Sequence, residues 1–203
     1  MRVAETNNEN HILEAARKLF LIKGFKGTST QEIAKEAGTT KSMVNYYFRS
    51  KDKLFAKIFR EEFKNLFASI ASCIGSDLPL KEKIAQIVKL DIEKLMVIPE
   101  LPLFVVSELH RNPEMILNDI EQIPIKNLIT KLDKDIKLEV LKGVIKPITP
   151  IELMMNIQAL TIYPILSKPL LIHRLGLSEK TFNESMEKRK KSIADMIWKS
   201  IQV

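Results

Sequence analysis

Residues 24 to 51 read GFKGTSTQEIAKEAGTTKSMVNYYFRSK, and this stretch decides the fold of the N-terminal part of the chain. Ser29, followed three residues later by Glu32, is a capping box in which a hydroxyl and a carboxylate bond the free amides of a first helical turn. Gly38 follows the apolar positions of this helix, where a left-handed residue ends a helix and turns the chain. The threonines at 39 and 40 can cap a second helix. Two short helices joined by a glycine-containing turn indicate a helix-turn-helix unit.

The second helix is expected from about residue 41 to about residue 48, and its outer surface is the informative part. Met43, Val44 and Tyr47 are spaced so that at least two of them face inward. The side chains left outside are small and polar, basic or aromatic: Thr40, Lys41, Ser42, Asn45 and Tyr46. A short helix with such a surface is suited to the major groove of DNA.

The residue order G-F-x-G-T-S-x-x-x-I-A-x-x-A-G-x-T-K-x-x-x-x-Y-Y-F-x-S-K resembles the DNA-binding domain of the tetracycline-repressor (TetR) family. Matched positions extend over roughly residues 8 to 55, about a quarter of the chain, and the motif is long enough to be specific. Ser42, Met43 and Asn45 depart from the residues that are common in this family. Because all three lie on the second helix, the resemblance implies the fold without implying a particular operator sequence.

The resemblance implies an all-α fold with two domains. It places a three-helix helix-turn-helix DNA-binding domain at residues 1–50 and a helical ligand-binding and dimerisation domain at residues 51–203. The remaining sequence agrees with a helical body, since the chain has only 6 glycines and no alternating strand pattern.

The last two long helices, expected at residues 151–166 and 179–201, are candidates for a homodimer interface. In the family, two such helices from each protomer pack as a four-helix interface. The first of the two is so apolar that we expect it to be buried nearly all round. The alternative is that both helices belong to the core of a single chain.

Basic residues are concentrated near the N-terminus. Residues 1–57 hold 11 Lys and Arg against 6 Asp and Glu, a net charge of +5. The whole chain has a net charge of +7, so residues 58–203 contribute only +2. A basic end on a nearly neutral body is typical of a protein that binds nucleic acid, although an ordinary solvated surface is the alternative.

The sequence also predicts the compartment. The single cysteine, Cys73, allows no internal disulfide, and its apolar neighbours predict a small buried thiol. The first ten residues are polar and give no secretory signal. No run approaches the ~20 apolar residues that span a bilayer. We therefore expect a cytoplasmic protein that makes no membrane contact.

Contacts to double-stranded DNA divide into phosphate contacts, which supply affinity, and base contacts, which supply sequence preference. Side chains near the helix ends are expected at phosphates: Lys26, Thr28, Ser29, Gln31, Tyr47 and Lys51. The exposed residues of the second helix are expected at bases: Thr40, Lys41, Ser42, Asn45 and Tyr46. For Tyr46 and Tyr47, one can lie in the local core and the other on a phosphate. Two copies about one turn of DNA apart, ~34 Å, would meet a palindromic site.

The resemblance further implies a small-molecule effector, bound in the helical body, that changes the separation of the two DNA-binding domains. We therefore expect a repressor that a small apolar effector releases from its operator. Methionines suit an adaptable apolar pocket, and the candidate lining residues are Phe104, His110, Met115, Met154, Met155 and Tyr163. The alternative for each is an ordinary core residue, and for His110 a surface histidine.

Two other classes of function compete with a regulator. An enzyme is not favoured, because the three histidines, His11, His110 and His173, lack metal-ligand spacing and no phosphate loop or nucleophile motif is present. We expect no catalytic residue, no metal and no cofactor. The third class is a DNA-binding or partner-binding helical protein that is indifferent to sequence and has no effector control. Its binding to DNA would depend on salt but hardly on sequence.

Overall fold

The computed structural model describes residues 2–111, 113–119, 121 and 123–203, and this part of the chain contains α-helices but no strand. An isolated bridge between Ile145 and Gln202 is the one strand-like pairing found there. The all-α prediction is therefore confirmed. In the same residues, no helix has both the length and the apolar character needed to cross a membrane.

The chain divides into two compact units, Met1–Phe63 and Lys64–Val203. The boundary lies within the fourth helix, which begins just after the turn at residues 49 and 50. The functional division proposed from the sequence, at residue 50, coincides with that turn. The assignment of DNA binding to one part and of effector binding and dimerisation to the other stays a prediction.

The first unit contains three helices and the start of a fourth: α1 (Arg2–Lys23), α2 (Thr30–Glu36), α3 (Lys41–Phe48) and α4 (Lys51–Gly75). Its core is built from apolar side chains of all four helices: Ile12, Ala16, Phe20, Ile33, Val44, Phe48, Leu54, Ile58 and Phe59. Aromatic rings pack around Phe55, whose centroid lies 5.1 Å from that of Phe20 and 4.8 Å from that of Phe25. Such edge contacts between rings stabilise the position of the loop that leads into α2.

The second unit contains the remainder of α4 and seven further helices among the described residues: α5 (Leu80–Val97), α6 (Leu101–Arg111), α7 (Pro113–Asp119), α8 (Ile125–Leu141), α9 (Pro150–Leu166), α10 (Lys168–His173) and α11 (Glu179–Ile201). Helix α5 is central and packs against α9 and α11. The apolar stripe of α11 is buried as its periodicity predicts: Phe182, Met186, Ile193, Ile197 and Trp198. Cys73 is also buried, as expected, and burial raises the pKa of its thiol.

Helix α9 buries only one of its faces within the single chain. Leu153 and Ile157 are buried on the side that α5 and α11 cover. On the opposite side Ile151, Met155 and Tyr163 are 62%, 66% and 67% exposed. The prediction that this helix is buried nearly all round is therefore wrong for an isolated protomer, because its neighbours in the chain are too few to cover it.

A buried carboxylate lies where α5 meets α9. Asp91 is 1% exposed, and its Oδ2 atom accepts hydrogen bonds from Gln158 Nε2 at 2.8 Å and from Thr161 Oγ1 at 3.1 Å. Burial raises the pKa of Asp91 from 3.8 to about 6, although the two hydrogen bonds act in the opposite direction. The packing of α9 on α5 is therefore coupled to the protonation of this group.

We expect Asp91→Asn to stabilise the protein at pH 8 and to have little effect near pH 4. The pKa of Asp91 in the folded state lies above its unfolded value of 3.8. Protonation of Asp91 therefore stabilises the fold fully below pH 3.8, and this stabilisation is lost as the pH rises through about 6. Asparagine keeps a hydrogen-bond acceptor but carries no charge. At pH 8 the free energy of unfolding of the Asp91→Asn variant should therefore exceed that of the wild type by about 1–3 kcal/mol.

Urea titrations of both proteins at a fixed concentration, from pH 4.5 to pH 8, measure this difference. A gain that widens with pH agrees with the burial of the charged carboxylate. A difference independent of pH would contradict the raised pKa.

Candidate nucleic-acid interface

Helices α2 and α3 and the turn between them are held by local capping hydrogen bonds and by a glycine in the turn. The hydroxyl of Ser29 accepts a hydrogen bond from the backbone N–H of Glu32 at 3.2 Å, and the Glu32 carboxylate accepts one from the Ser29 N–H at 2.9 Å. Gly38 has a φ of 65°, the left-handed conformation that glycine adopts with least cost. Thr40 then caps α3 by accepting from the Met43 N–H at 3.3 Å. The predicted helix-turn-helix chemistry is confirmed at each of these positions.

Lys23 fixes the start of α2 from the end of α1. Its ammonium donates to Glu32 at 2.7 Å. This hydrogen bond, followed by those from Ser29, lowers the pKa of Glu32 to about 2. The carboxylate thus stays charged over the whole physiological pH range and keeps both halves of the capping box intact.

Helix α3 presents one buried face and one exposed face. Val44 is 1% and Phe48 is 6% exposed, and they anchor the helix in the first unit. The residues predicted to contact bases are all exposed: Thr40, Lys41, Ser42, Asn45 and Tyr46. The structure therefore gathers this predicted set on one surface, with hydrogen-bond donors and acceptors and an aromatic ring. Such a surface can bond base edges and contact thymine methyl groups.

The two tyrosines of α3 have different environments. Tyr46 is 64% exposed, whereas Tyr47 is half-buried between its neighbours. Their ring centroids lie 5.2 Å apart in an edge arrangement. Tyr47 thus belongs partly to the local packing, and Tyr46 is the tyrosine with most surface to offer.

Two residues predicted at phosphates make hydrogen bonds inside the protein. Thr28 is 2% exposed, and its hydroxyl donates to the carbonyls of Leu19 and Gly24. Lys51 is half-buried, and its ammonium donates to the carbonyls of Phe25 and Thr28 at 2.9 and 3.0 Å. The burial of Thr28 does not support a phosphate contact through its side chain. Lys51 uses two of its three N–H donors on these carbonyls, and its phosphate contact stays a prediction. Both residues therefore hold the loop before α2.

The other residues predicted at phosphates lie at the surface. Lys26, Ser29 and Gln31 are exposed. Ser29 is already engaged as the cap of α2, whereas Lys26 and Gln31 have their polar groups available. Sequence reasoning missed two exposed cations beside α3, Arg49 and Lys53. Their charge and their position next to the helix end are visible in the sequence, but their exposure is not.

The residues predicted to line an effector pocket differ in their exposure, whereas those predicted to contact bases are all exposed. Phe104 is buried and Met154 is half-buried, whereas His110, Met155 and Tyr163 are exposed. The side chain of Met115 lies outside the described residues. Four clefts are lined by other described residues, among them Cys73, Leu90 and Lys190.

His110 behaves as a surface histidine, the alternative that the sequence left open. It is exposed, and its Nδ1 lies 2.8 Å from the carbonyl oxygen of Val106 one turn earlier. Among the described residues, no three His, Cys, Asp or Glu side chains are placed to hold a metal ion.

Comparison with known proteins agrees with the geometry of the first unit. The sequence model of the family described as "Bacterial regulatory proteins, tetR family" matches residues 12–58, which include α2, α3 and the start of α4. The chain is 39% identical over 56 residues to the HTH-type transcriptional regulator AcrR of Shigella flexneri, covering 28% of this chain and 26% of AcrR. It is 28% identical over 150 residues to the regulator RutR of Escherichia coli O157:H7, covering 74% of this chain and 70% of RutR.

Solved structures share the fold over nearly the full length. A TetR-family transcription regulator from Marinobacter aquaeolei has a TM-score of 0.56 at 19% identity, with 100% of this chain and 99% of that chain covered. A transcriptional regulator from Cytophaga hutchinsonii has a TM-score of 0.59 at 19% identity, with 95% and 97% covered. At such identities the likeness concerns the fold alone.

Residues 12–58 carry the tetR-family domain of bacterial regulatory proteins. The curated relatives that match at 33–40% identity share only 21–42% of their own length with it, so the family assignment rests mainly on the DNA-binding region. The family and these relatives are transcriptional regulators and not enzymes, which agrees with the sequence-based expectation.

Proposed function

We propose that this protein is a transcriptional regulator that binds a palindromic site in double-stranded DNA as a homodimer. The exposed face of α3 is the observation that carries the proposal. Val44 and Phe48 are buried, so Lys41 and Asn45 point into solvent from a helix that its own caps and core hold in place. A lysine can donate to guanine O6 and N7, and an asparagine can bond adenine at two atoms.

Charge supports nucleic acid as the partner. The first 57 residues have a net charge of +5 within a chain whose net charge is +7. Lys26 and Lys41 are exposed, and neither makes an ion pair with the described residues. When such side chains neutralise DNA phosphates, the counterions of those phosphates are released. The affinity gained in this way falls as the salt concentration rises.

The exposed apolar face of α9 supports a homodimer. Ile151, Met155, Tyr163 and Leu166 lie on one side of the helix at spacings of four, eight and three residues. This face extends over about 22 Å of helix, at 1.5 Å for each residue. A continuous apolar strip of that length on a surface is typical of a protein interface, and a second copy of the same strip is a complementary partner. Helix α11 adds the exposed Met196.

We propose further that the regulator is a repressor and that a small apolar effector, bound in the second unit, weakens its DNA binding. This part rests on the family rather than on a described cavity. Buried Phe104 and half-buried Met154 are the two candidate residues whose placement suits an internal ligand. A thermal-shift screen of small apolar and cationic compounds, followed by DNA-binding assays with any ligand found, tests this proposal.

Removal of either base-contacting side chain should weaken specific binding. We expect Lys41→Ala and Asn45→Ala each to weaken binding to the preferred DNA sequence by about 1–3 kcal/mol and to relax preference at the bases that they contact. A gel-shift titration at fixed salt, with DNA selected by the wild-type protein from a random pool, measures both effects.

The same changes on α8 provide the controls. Lys126 and Asn127 are exposed there, so Lys126→Ala and Asn127→Ala delete the same groups from the second unit. We expect both controls to bind DNA as the wild type does. Wild-type affinity in both α3 variants would contradict the proposed base contacts. Equal weakening of binding to every DNA sequence would favour DNA binding that is indifferent to sequence.

A further inference from the structure

The turn between α3 and α4 contains an unusual backbone conformation. Arg49 has φ 63° and ψ −42°, and the N–H of Ser50 donates to the carbonyl of Phe48 at 2.7 Å across it. This is a γ-turn with positive φ, a rare and strained arrangement for a residue with a side chain. Every other positive-φ position in the described chain is a glycine: Gly24, Gly38, Gly143 and Gly176.

The tightness of the connection explains the conformation but not the arginine. Only Arg49 and Ser50 separate α3 from α4, and the Ser50 hydroxyl is already used to accept from the Lys53 N–H at the start of α4. Glycine would adopt the same turn without a steric penalty from Cβ. The side chain at position 49 is therefore present at a cost to the stability of the first unit.

Nothing within the described chain offsets that cost. Arg49 is exposed and makes no hydrogen bond, ion pair or ring contact through its guanidinium with any described residue. Asp52, one turn further along α4, is exposed and is not paired with it. The described residues thus leave the guanidinium of Arg49 open to a partner outside the protein.

Position and charge indicate what that partner is. Arg49 is the first residue after α3, three residues after exposed Tyr46 and four after exposed Asn45. The neighbouring cation, Lys51, is directed inward to the carbonyls of Phe25 and Thr28. Arg49 and Lys53 are the exposed cations next to this turn, and Arg49 is the one whose side chain is carried by a strained backbone. A guanidinium binds phosphate through two parallel hydrogen bonds, which a lysine ammonium cannot reproduce.

We propose that Arg49 binds a DNA backbone phosphate next to the bases contacted by α3, and that its strained backbone is retained for this contact. The inference rests on the proposed DNA-binding function and adds a residue that the helix-turn-helix pattern does not assign. The contact positions α3 on the duplex and is independent of base sequence.

Three substitutions separate the side chain from the backbone strain. Arg49→Gly removes both, so we expect the Tm to rise by about 2–4 °C while DNA binding weakens on the order of tenfold. Arg49→Ala keeps a Cβ at the strained position, so it should weaken binding equally without the gain in Tm. Arg49→Lys keeps the charge and should retain part of the affinity.

The salt dependence of binding identifies a phosphate contact. The slope of log K against log salt should fall by about 1 for each protomer in Arg49→Gly and Arg49→Ala, and it should stay near the wild-type value in Arg49→Lys. Lys134→Ala, which removes one exposed positive charge from α8, is the matched control and should leave the slope unchanged.

Wild-type affinity and slope in Arg49→Gly would overturn the proposal, as would weaker binding with an unchanged slope. A lower Tm in Arg49→Gly would refute the argument from strain. Because a phosphate contact does not depend on sequence, the slope is also measured on random duplex DNA. If the proposed regulator function is wrong, the wild-type protein binds all DNA sequences with equal affinity. The comparison of the Arg49 variants still tests the phosphate contact in that case.

Discussion

Replacing Met155 with glutamate is expected to convert the proposed homodimer to a monomer at micromolar concentrations. Met155 is 66% exposed at the centre of the apolar strip on α9, between Ile151 and Tyr163. In a two-fold symmetric interface each protomer brings the same residue, so the substitution buries two carboxylates in place of two thioethers. Burying unpaired charge costs several kcal/mol, and about 4 kcal/mol corresponds to a roughly thousandfold weaker dimer.

Sedimentation equilibrium over a range of concentrations measures this change, with Leu141→Glu as the matched control. Leu141 is 85% exposed at the end of α8, so the same substitution there adds the same charge outside the proposed interface. We expect the control to remain dimeric. Because a monomer presents only one α3, Met155→Glu should also lose most of its affinity for a palindrome. A dimeric Met155→Glu protein would place the interface elsewhere.

Lys83→Met is expected to destabilise the second unit by about 3–4 kcal/mol. Lys83 is fully buried on α5, and its ammonium donates to the Ile74 carbonyl at 2.7 Å and to Asp135 Oδ2 at 2.6 Å. These bonds join α5 to the C-terminal turn of α4 and to α8. Methionine fills similar space but leaves an α4 carbonyl and a largely buried carboxylate without their main donor.

A double variant and a control variant test whether the buried ion pair causes the loss of stability in Lys83→Met. Lys83→Met combined with Asp135→Leu removes both charges, so we expect the double variant to recover more than half of the lost stability. Lys131 also pairs with Asp135, at 3.4 Å, but from a more exposed position. Lys131→Met should therefore have a much smaller effect in the same urea titrations. A loss in Lys83→Met no larger than that of the control would contradict the importance of the buried pair.

The helix-turn-helix unit could be predicted almost to the residue, because its signals are local. Ser29, Gly38 and Thr40 each act on backbone groups within a few positions, and the structure places α2 and α3 where these caps require. The exposed set on α3 follows from the helical period once Val44 and Phe48 are buried. Local chemistry therefore sufficed for the surface that is proposed to contact bases.

Properties that depend on distant parts of the chain could not be predicted in this way. Thr28 and Lys51 have polar groups suited to phosphates, and only the packing of the loop before α2 reveals that both also donate to backbone carbonyls. Lys83 finds its partner 52 residues away in sequence, so its burial has no local signal. The short helix α10 begins at Lys168, where Ser167 makes no capping hydrogen bond through its side chain, and its sequence does not distinguish it from a loop.

The burial of α9 is a related case, because the missing information lies outside a single chain. Its sequence is apolar on nearly every face, which predicts partners on more than one side. Within the protomer only one side is covered, and Met155 and Tyr163 stay exposed. The apolar pattern therefore does not predict the burial of α9 within one protomer, and its exposed side is the one assigned to the proposed homodimer.

Selection of bound duplexes from a random pool, followed by titration of the enriched sequence against a scrambled one, tests sequence-specific regulation most directly. We predict two inverted half-sites whose centres lie about one turn of DNA apart, or a multiple of it, and a preference over scrambled DNA of at least about a thousandfold at physiological salt. A pool without any enriched sequence, together with equal affinity for both duplexes, would contradict the account.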